Sequence, residues 1–267
     1  MAFVSFKKLA LSSIIIPSKI VYNNIEYDVT AIGNETFSNN NDIGHIICYP
    51  RTNIEETKDY VFTPNEGHYY LTQMFMNNNK INSVDFSNIE YTANMNSDYY
   101  GIQAISPAIN KANMSKAFDN CTNLTAIYGY PKNVMNMCRT FLNCTNLIHV
   151  PDIPNTVTNV HGLFNGCTNF NQPINIPINM SDASYLFAGC TNFNQPITIP
   201  NKVNRIDHMF NGCTNFNQPI NIPDIVYNMT GTFAYCTNFN QPITIPTNID
   251  SVSYLFAGCT NFNQPIT

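Results

Sequence analysis

The residues that could do chemistry in this chain are nine cysteines, five histidines and a scattered set of aspartates. Seven cysteines recur every 23 residues, without slippage, at positions 121, 144, 167, 190, 213, 236 and 259. In a stacked repeat such cysteines face the same way in successive coils, which predicts a buried column of small apolar side chains. Disulfides within the column are the alternative. There is no CxxC motif, and the histidines share no phase with the cysteines, so the pattern does not favour zinc.

The acidic residues and histidines do not form a catalytic pattern. Aspartates occur about once per repeat but at shifting positions, and no glutamate follows Glu90. General acid–base catalysis needs two groups held within a few ångströms, and nothing in this spacing promises that. His149, His161 and His208 fall at unrelated phases and are interpreted as surface residues. We therefore expect no enzymatic activity and no cofactor.

The cysteines belong to the stretch FNGCTNFNQPINIP, which begins at Phe164 and returns from Phe187, Phe210, Phe233 and Phe256, with looser copies from Phe118 and Phe141. A fixed period of this length predicts a solenoid of stacked coils. The alternation of Ile174 and Ile176 around Asn175 predicts a short strand, which the flanking prolines keep to about three residues. The apolar spacing i, i+3, i+6, i+7, i+10 before each cysteine predicts a short helical segment.

The regular repeats occupy the C-terminal part of the chain. We expect an N-terminal cap over 1–36, with a β-hairpin around Asn23-Asn24, then degenerate repeats over 37–117 and regular repeats over 118–267, all in one solenoid. The degenerate units open at Phe37 and Phe75. Two insertions, at roughly 51–73 and 87–110, are expected to emerge as loops.

The composition argues against nucleic acid and the membrane interior as partners. Charged residues make up only 11% of the chain and the net charge is −5, so no basic face is available for nucleic acid. No apolar window is long enough to cross a membrane. The segment from Lys7 to Ile16 could be a weak signal peptide, but Pro17 stops it and no cleavage site follows. Since Ile14-Ile15-Ile16-Pro17 matches the I-x-I-P of later repeats, we interpret it as the first strand.

Two kinds of surface position stand out. The Thr-Asn pair after each cysteine and the column of glutamines are interpreted as ladders that bond the backbone, with a ligand track for sugar or peptide as the alternative. Other positions differ between near-identical coils. They are either relaxed surface positions or the specificity residues of a partner contact. The candidate binding residues are Tyr185, Lys202, Arg205, Asp207, His208, Tyr227 and Tyr254.

The step M/L-F-x-x-C-x-x-[LF], followed by I-x-I-P, resembles the BspA-like leucine-rich repeats, as does Ile32-Gly33 followed by Phe37. The phrase LFAGCTNFNQP is especially close to the surface-lipoprotein version of that repeat. The resemblance covers about 14–50 and 70–267. It implies a right-handed α/β leucine-rich-repeat solenoid and a role in adhesion or recognition, and it carries no catalytic residues.

We therefore expect a non-catalytic scaffold for recognition or adhesion, with a protein or glycan ligand, on a cell or particle surface. The alternative is a structural subunit of a virion, phage tail or fibre. The sequence stops at Ile266-Thr267, inside a strand, which favours an end covered by another chain or by further sequence. Localisation is left open between these two settings, since no clear signal peptide is present.

Overall fold

A computed structural model describes residues 75–77, 79, 111–130 and 134–267, together with the backbone of the short strands in the N-terminal half. The strands are β1 (Ser13–Ile16), β2 (Lys19–Tyr22), β3 (Ile25–Asp28), β4 (His45–Cys48), β5 (His68–Tyr70), β6 (Ser83–Asp85), β7 (Lys111–Asn113), β8 (Ala126–Tyr128) and β9 (Val134–Asn136).

The strands form two parallel sheets and one hairpin. One sheet has the order β1-β4-β6-β8, and the other has the order β5-β7-β9. β2 and β3 pair antiparallel across Asn23-Asn24, where the sequence predicts a hairpin. β1 forms over the I-x-I-P match and pairs with β4. The division into a cap, degenerate repeats and regular repeats stays a prediction, as does the handedness of the solenoid.

One predicted loop boundary is wrong. Residues 51–73 were assigned to an insertion, but β5 lies at its end and pairs with β7, with Tyr70 opposite Asn113. Tyr70 precedes Phe75 by the same five residues that separate Asn113 from Phe118, so β5 belongs to the coil. The rest of that insertion lies outside the described residues.

The strand predicted at Ile174–Ile176 is correct in burial but wrong in pairing. Ile174 and Ile176 are buried and Asn175 is exposed, as alternation predicts. No strand is assigned after β9, although an isolated bridge joins Ile243 to Ile266. The first sheet ends because the position of Ile127 in β8 becomes Val150 and then Pro173 one and two periods later. Proline has no N–H to donate, so it cannot continue the ladder.

Side-chain amides replace the lost ladder. The Gln172 side chain donates from Nε2 to the Val150 carbonyl (2.8 Å), and its Oε1 accepts from the Val150 N–H (2.9 Å). One coil later, Asn171 Oδ1 accepts from the Asn194 N–H (2.9 Å) and from Gln195 Nε2 (3.1 Å). The conserved phrase Asn-Gln-Pro therefore couples neighbouring coils through side chains where proline prevents backbone pairing.

The predicted helical segment is a run of turns, and no helix occurs in the part of the chain described. In the coil of Phe187, successive backbone N–H groups alternate between bonds to the next coil and bonds within their own coil. Those of Tyr185, Phe187 and Gly189 donate to carbonyls of the next coil at 3.0, 2.9 and 2.6 Å, while Leu186 and Ala188 donate three residues back. An α-helix would send every N–H four residues back. Because half of the donors go sideways, the segment joins coils instead of closing on itself.

Each of these turn runs needs two residues with positive φ, one opening the run and one near its end. The second position is usually glycine, as in Gly166 (77°) and Gly189 (72°). Glycine adopts this conformation without the steric cost of a Cβ. The first position carries Tyr185 (59°) and His208 (55°), which the sequence alone did not reveal.

The second sheet continues as a line of isolated bridges. It runs on from β9 at the same place in each coil. These bridges are Asn136↔Asn159, Asp182↔Arg205, Arg205↔Asn228 and Asn228↔Ser251.

Two files of phenylalanine rings form the core. Phe164, Phe187 and Phe210 stack with centroids 5.8 Å apart from coil to coil. The second file follows at Phe193 and Phe216, and the files touch at 4.2 Å between Phe210 and Phe216. All of these rings are fully buried. Each coil therefore buries its aromatic rings against its neighbours, as the repeat predicts.

The cysteine column is confirmed. Cys144, Cys167 and Cys190 are fully buried, and each Sγ donates to a phenylalanine carbonyl of the preceding coil at 3.0 Å. The eight cysteines within the described residues are free thiols, so disulfides in the column are not formed. Burial raises the pKa of these thiols well above its usual value.

The Thr-Asn pairs also form ladders, as their structural interpretation predicts. Thr168 Oγ1 donates to the Thr145 carbonyl (3.1 Å), and Asn169 Nδ2 donates to Asn146 Oδ1 (3.1 Å). The same bonds recur one period later at Thr191 and Asn192. These polar groups are used to join coils.

Replacing Phe210 with alanine should lower the free energy of unfolding by roughly 3–5 kcal/mol, because four packed rings lose a partner. Chemical denaturation measures the loss. Ile178→Ala is the control, since Ile178 is 62% exposed and should cost under about 0.5 kcal/mol. Equal losses in the two variants would contradict the stacked core.

Thiol accessibility provides a second test. In mildly alkaline buffer, iodoacetamide should alkylate the half-buried Cys138 and Cys259 before the buried Cys167, Cys190 and Cys213. The reactive species is the thiolate, and complete burial suppresses it at Cys167, Cys190 and Cys213, where it also raises the pKa well above its usual value. Burial raises the pKa of Cys138 and Cys259 as well, but these two thiols remain partly exposed to the reagent. Peptide mass spectrometry measures the order, with protein unfolded in urea as the control. Native Cys190 reacting as fast as Cys138 would show that the column is not sealed.

Candidate binding surface

The variable positions lie along the bridge line and the turns that follow it. Each turn begins with a residue at the same position of the repeat. We call this set of residues the Asx column, since most members are asparagine or aspartate. The Asn159 Oδ1 accepts the N–H of His161 (3.0 Å), and Asp182 Oδ1 accepts that of Ser184 (2.8 Å). Such Asx turns fix the start of each turn run. The members of the column are residues 113, 136, 159, 182, 205, 228 and 251.

Arg205 interrupts this column. It has no side-chain acceptor to offer its turn, and its Nε and Nη2 instead donate to Asp207 Oδ1 at 3.2 and 3.0 Å. Asp207 is 7% exposed and also accepts from Ser184 Oγ at 2.7 Å. The single Ser184 hydroxyl hydrogen is shared, because Asp182 Oδ1 also lies within hydrogen-bonding distance of Ser184 Oγ. Asp182 Oδ2 lies 3.8 Å from Arg205 Nη1. We call these four residues the Arg205 cluster.

The cluster holds the guanidinium in one place and keeps it charged. Desolvation acts to lower the pKa of Arg205, but the charge and hydrogen bonds of Asp207, followed by the charges of Asp182 and Tyr227, outweigh it and raise the pKa. The side chains of Arg205 and Asp182 remain 39% and 37% exposed. A fixed, half-exposed arginine beside a half-exposed carboxylate can contact a ligand without first being ordered.

An aromatic ledge borders the cluster and consists of His161, Tyr185 and His208. The Tyr185 and His208 rings stack with centroids 4.7 Å apart, and His161 lies 5.4 Å from Tyr185 at a tilted angle. Asn211 Nδ2 contacts His208 Nδ1 at 3.1 Å, so the proton of a neutral His208 ring resides on Nε2. The ring faces are largely covered by each other, which leaves their edges to contact a ligand.

Glycine makes room for this ledge. A Cβ placed on Gly231 would lie 2.6 Å from Cε1 and Nδ1 of His208. The His208 ring therefore lies across Gly231 in the next coil. Successive coils carry Gly162, Tyr185, His208, Gly231 and Tyr254 at this position, so the glycine that follows His208 is the one its ring lies across.

The structure brings together some of the predicted binding residues and separates others. Tyr185, Arg205, Asp207 and His208 lie side by side on two adjacent coils, and the phenol of Tyr227 in the next coil lies near Arg205. Whether any of these seven residues binds a ligand stays a prediction.

Two candidates lie apart from this group. Lys202 is exposed on an earlier turn, where its Nζ donates to Asn179 Oδ1 at 3.2 Å. Tyr254 is 75% exposed and stands two coils beyond His208, with Gly231 between them.

Sequence reasoning missed Asp182, Ser184 and His161. The aspartates occur about once per coil at shifting positions, so no pattern singles out Asp182. Asp182 and Arg205 are one period apart, as are Ser184 and Asp207, so aligning the coils on the Asx column would have paired them. In the described ranges, no three His, Cys, Asp or Glu side chains are grouped to hold a metal ion. In the same ranges no helix has the length and apolarity to cross a membrane.

Gly231→Ala should displace the His208 ring and destabilise the protein by about 1–3 kcal/mol, since it combines a left-handed backbone (φ 59°) with a clash. Gly162→Ala is the matched control. Its φ is 58°, but its nearest contact is Arg139 Cγ at 3.4 Å. Urea unfolding and the His208 ring signals in proton NMR measure both effects. Equal destabilisation, with unchanged His208 signals, would contradict the contact.

Comparison with known proteins supports the repeat architecture. The model of the family described as "Mycoplasma protein of unknown function, DUF285" matches residues 112–199 and 184–267, which together span more than half of the chain. No curated protein sequence matches. A solved leucine-rich repeat protein from Bacteroides ovatus ATCC 8483 is similar at a TM-score of 0.54 and 18% identity, over 95% of this chain and 63% of that one. This chain therefore spans less than two thirds of that protein's length.

A leucine rich cell surface protein from Faecalibacterium prausnitzii A2-165 aligns over 96% of this chain and 87% of its own, at 14% identity and a TM-score of 0.31. That score is too low to carry an argument. The Bacteroides protein shares the fold, which is a repeat solenoid of the leucine-rich type. From the match over its repeats, this chain belongs to the family described as Mycoplasma protein of unknown function, DUF285.

Proposed function

We propose that this protein is a non-catalytic repeat scaffold for recognition or adhesion on a cell or particle surface. It belongs to the BspA-like type of leucine-rich repeat and binds a protein or glycan ligand. The contact surface consists of the Arg205 cluster, the aromatic ledge and Tyr227. The fold similarity to a leucine-rich repeat protein from Bacteroides ovatus supports the scaffold part of this proposal.

The observation that carries the proposal is a difference between two faces. On the constant face, the hydroxyl and amide groups of the Thr-Asn and Asn-Gln ladders are engaged in bonds between coils. On the variable face, Arg205 replaces a turn-forming residue and keeps a half-exposed charge. The half-exposed charge of Arg205 is not needed for the repeated bonds between coils, so it is available to solvent and to a ligand.

A variant with a neutral face tests this proposal. Tyr185→Gly, Arg205→Asn, Asp207→Ser, His208→Gly and Tyr227→Asn each introduce a residue that another coil carries at the same place, so the frame should remain folded. The wild type and the variant are compared on a printed glycan array and against a displayed library of short random peptides. We expect the wild type to select a ligand that the variant does not bind.

The matched control changes the exposed positions of the predicted strands beside the Asn-Gln ladder by Asn175→Ser, Thr198→Ser, Asn221→Ser and Thr244→Ser. This control should bind as the wild type does. Loss of binding in the control alone would move the contact to the face that these positions share. That outcome, or copies of the chain assembling through that face, would favour the alternative of a structural subunit of a virion, tail or fibre.

A further inference from the structure

The Arg205 side chain does not form the turn bond that neighbouring members of the Asx column form. In neighbouring coils Asp182 and Asn228 accept the N–H two residues ahead, at 2.8 and 2.9 Å. Arginine has no acceptor and cannot make this bond. A buried carboxylate, Asp207, and the Ser184 hydroxyl are needed to hold it. An asparagine would satisfy the turn without either of them, so the arginine points to a use outside the frame.

The hydrogen-bonding capacity left over in the cluster is specific. Arg205 donates through Nε and one Nη2 hydrogen, so both Nη1 hydrogens and the other Nη2 hydrogen have no hydrogen-bond acceptor among the described residues. Asp182 Oδ2 accepts no hydrogen bond there either, and its only contact of note is Arg205 Nη1 at 3.8 Å. Donors and an acceptor thus stand next to each other on a half-exposed surface.

The charge of the cluster disfavours an anionic ligand. Two carboxylates face one guanidinium, and both ion pairs are internal to the cluster, at 3.0 and 3.8 Å. A carboxylate or phosphate would approach a centre with a formal excess of one negative charge. A neutral ligand with a donor and an acceptor in adjacent positions meets both groups without that repulsion.

Adjacent hydroxyl groups have this property, because each hydroxyl both donates and accepts. In a peptide group the N–H and C=O point in opposite directions, so one peptide group cannot face both partners. The half-buried rings of Tyr185 and His208 lie beside the pair and carry a phenol oxygen and ring nitrogens. We infer that the Arg205 cluster binds the vicinal hydroxyl groups of a neutral saccharide, accepted by Asp182 Oδ2 and donated to by Arg205. This inference rests on the proposed recognition function and names its ligand class.

The test is an NMR titration of the isotope-labelled chain with cello-, malto-, manno- and chito-oligosaccharides, with oligoglutamate and oligolysine as counter-probes. The reporters are the Arg205 Nε–H and the amides of Ser184 and Asp207. At least one saccharide should shift these signals saturably. Arg205→Asn and Asp182→Asn should each weaken the binding about tenfold or more, the effect of losing a charged hydrogen bond. Both variants place in the column the residue that it carries at Asn159 and Asn228.

The controls separate a binding role from a structural one. Asp224→Asn, at an exposed position outside the cluster, should bind within about twofold of the wild type. Arg205→Asn is also made together with Asp207→Ser, which removes the buried carboxylate that the arginine neutralises. This double variant should melt at the same temperature as the wild type or higher, since it restores the turn bond. A lower melting temperature of the double variant would make Arg205 structural and overturn the inference.

The other outcomes of the titration also test the saccharide site. No shift with any saccharide, or equal binding by Arg205→Asn, would overturn the saccharide site. Binding confined to oligolysine would assign the cluster to a basic protein segment instead. If saccharides fail while the peptide library still selects ligands for the wild type and not for the neutral-face variant, the recognition function stands without its glycan assignment.

Discussion

In the described repeats each phenylalanine ring is buried between the rings of the coils before and after it, and the rest of that structure depends on this stacking. The rings of Phe187, Phe210 and Phe233 repeat at 5.8 Å, so the backbone must return to the same place after each period of 23 residues. That return brings each cysteine of the column, Thr-Asn pair and Asn-Gln pair beside its copy. The ladders of side-chain bonds follow from the stacking and reinforce it.

The same constraint explains why regular secondary structure is sparse. Backbone N–H groups that point along the stack can bond only to the next coil, as Phe187 does to Met209, so the turn runs cannot become helices. Where proline removes a donor, side chains such as Gln172 take over the bond. The bonds between coils are thus formed by backbone groups in some places and by side chains in others. This allows positions such as Arg205 to leave the common pattern, provided that Asp207 and Ser184 supply the missing contacts.

The 23-residue period and the core could be predicted from the sequence because each coil places Phe and Cys at the same core positions. Stacking on the next coil is what buries these side chains. The helix prediction failed because apolar spacings of three and four residues also fit successive turns, and the sequence does not show where N–H groups bond. The positive φ of Tyr185 and His208 could not be predicted from the sequence, since residues other than glycine seldom adopt a positive φ. At the site, Arg205 and Asp207 were found as departures from a repeat. Asp182 and Ser184 were missed because they act across one period, and that contact depends on the stacking itself.

Amide hydrogen exchange measures the stacking directly. The N–H groups of Phe164, Phe187 and Phe210 donate to carbonyls of the following coil at 3.0, 2.9 and 2.9 Å, and the rings beside them are fully buried. If the coils are stacked in register, these amides should exchange together, among the slowest in the chain and at the rate of global unfolding. If they exchange as fast as the amide of exposed Asn175, the coils are not joined in this way and the account is wrong.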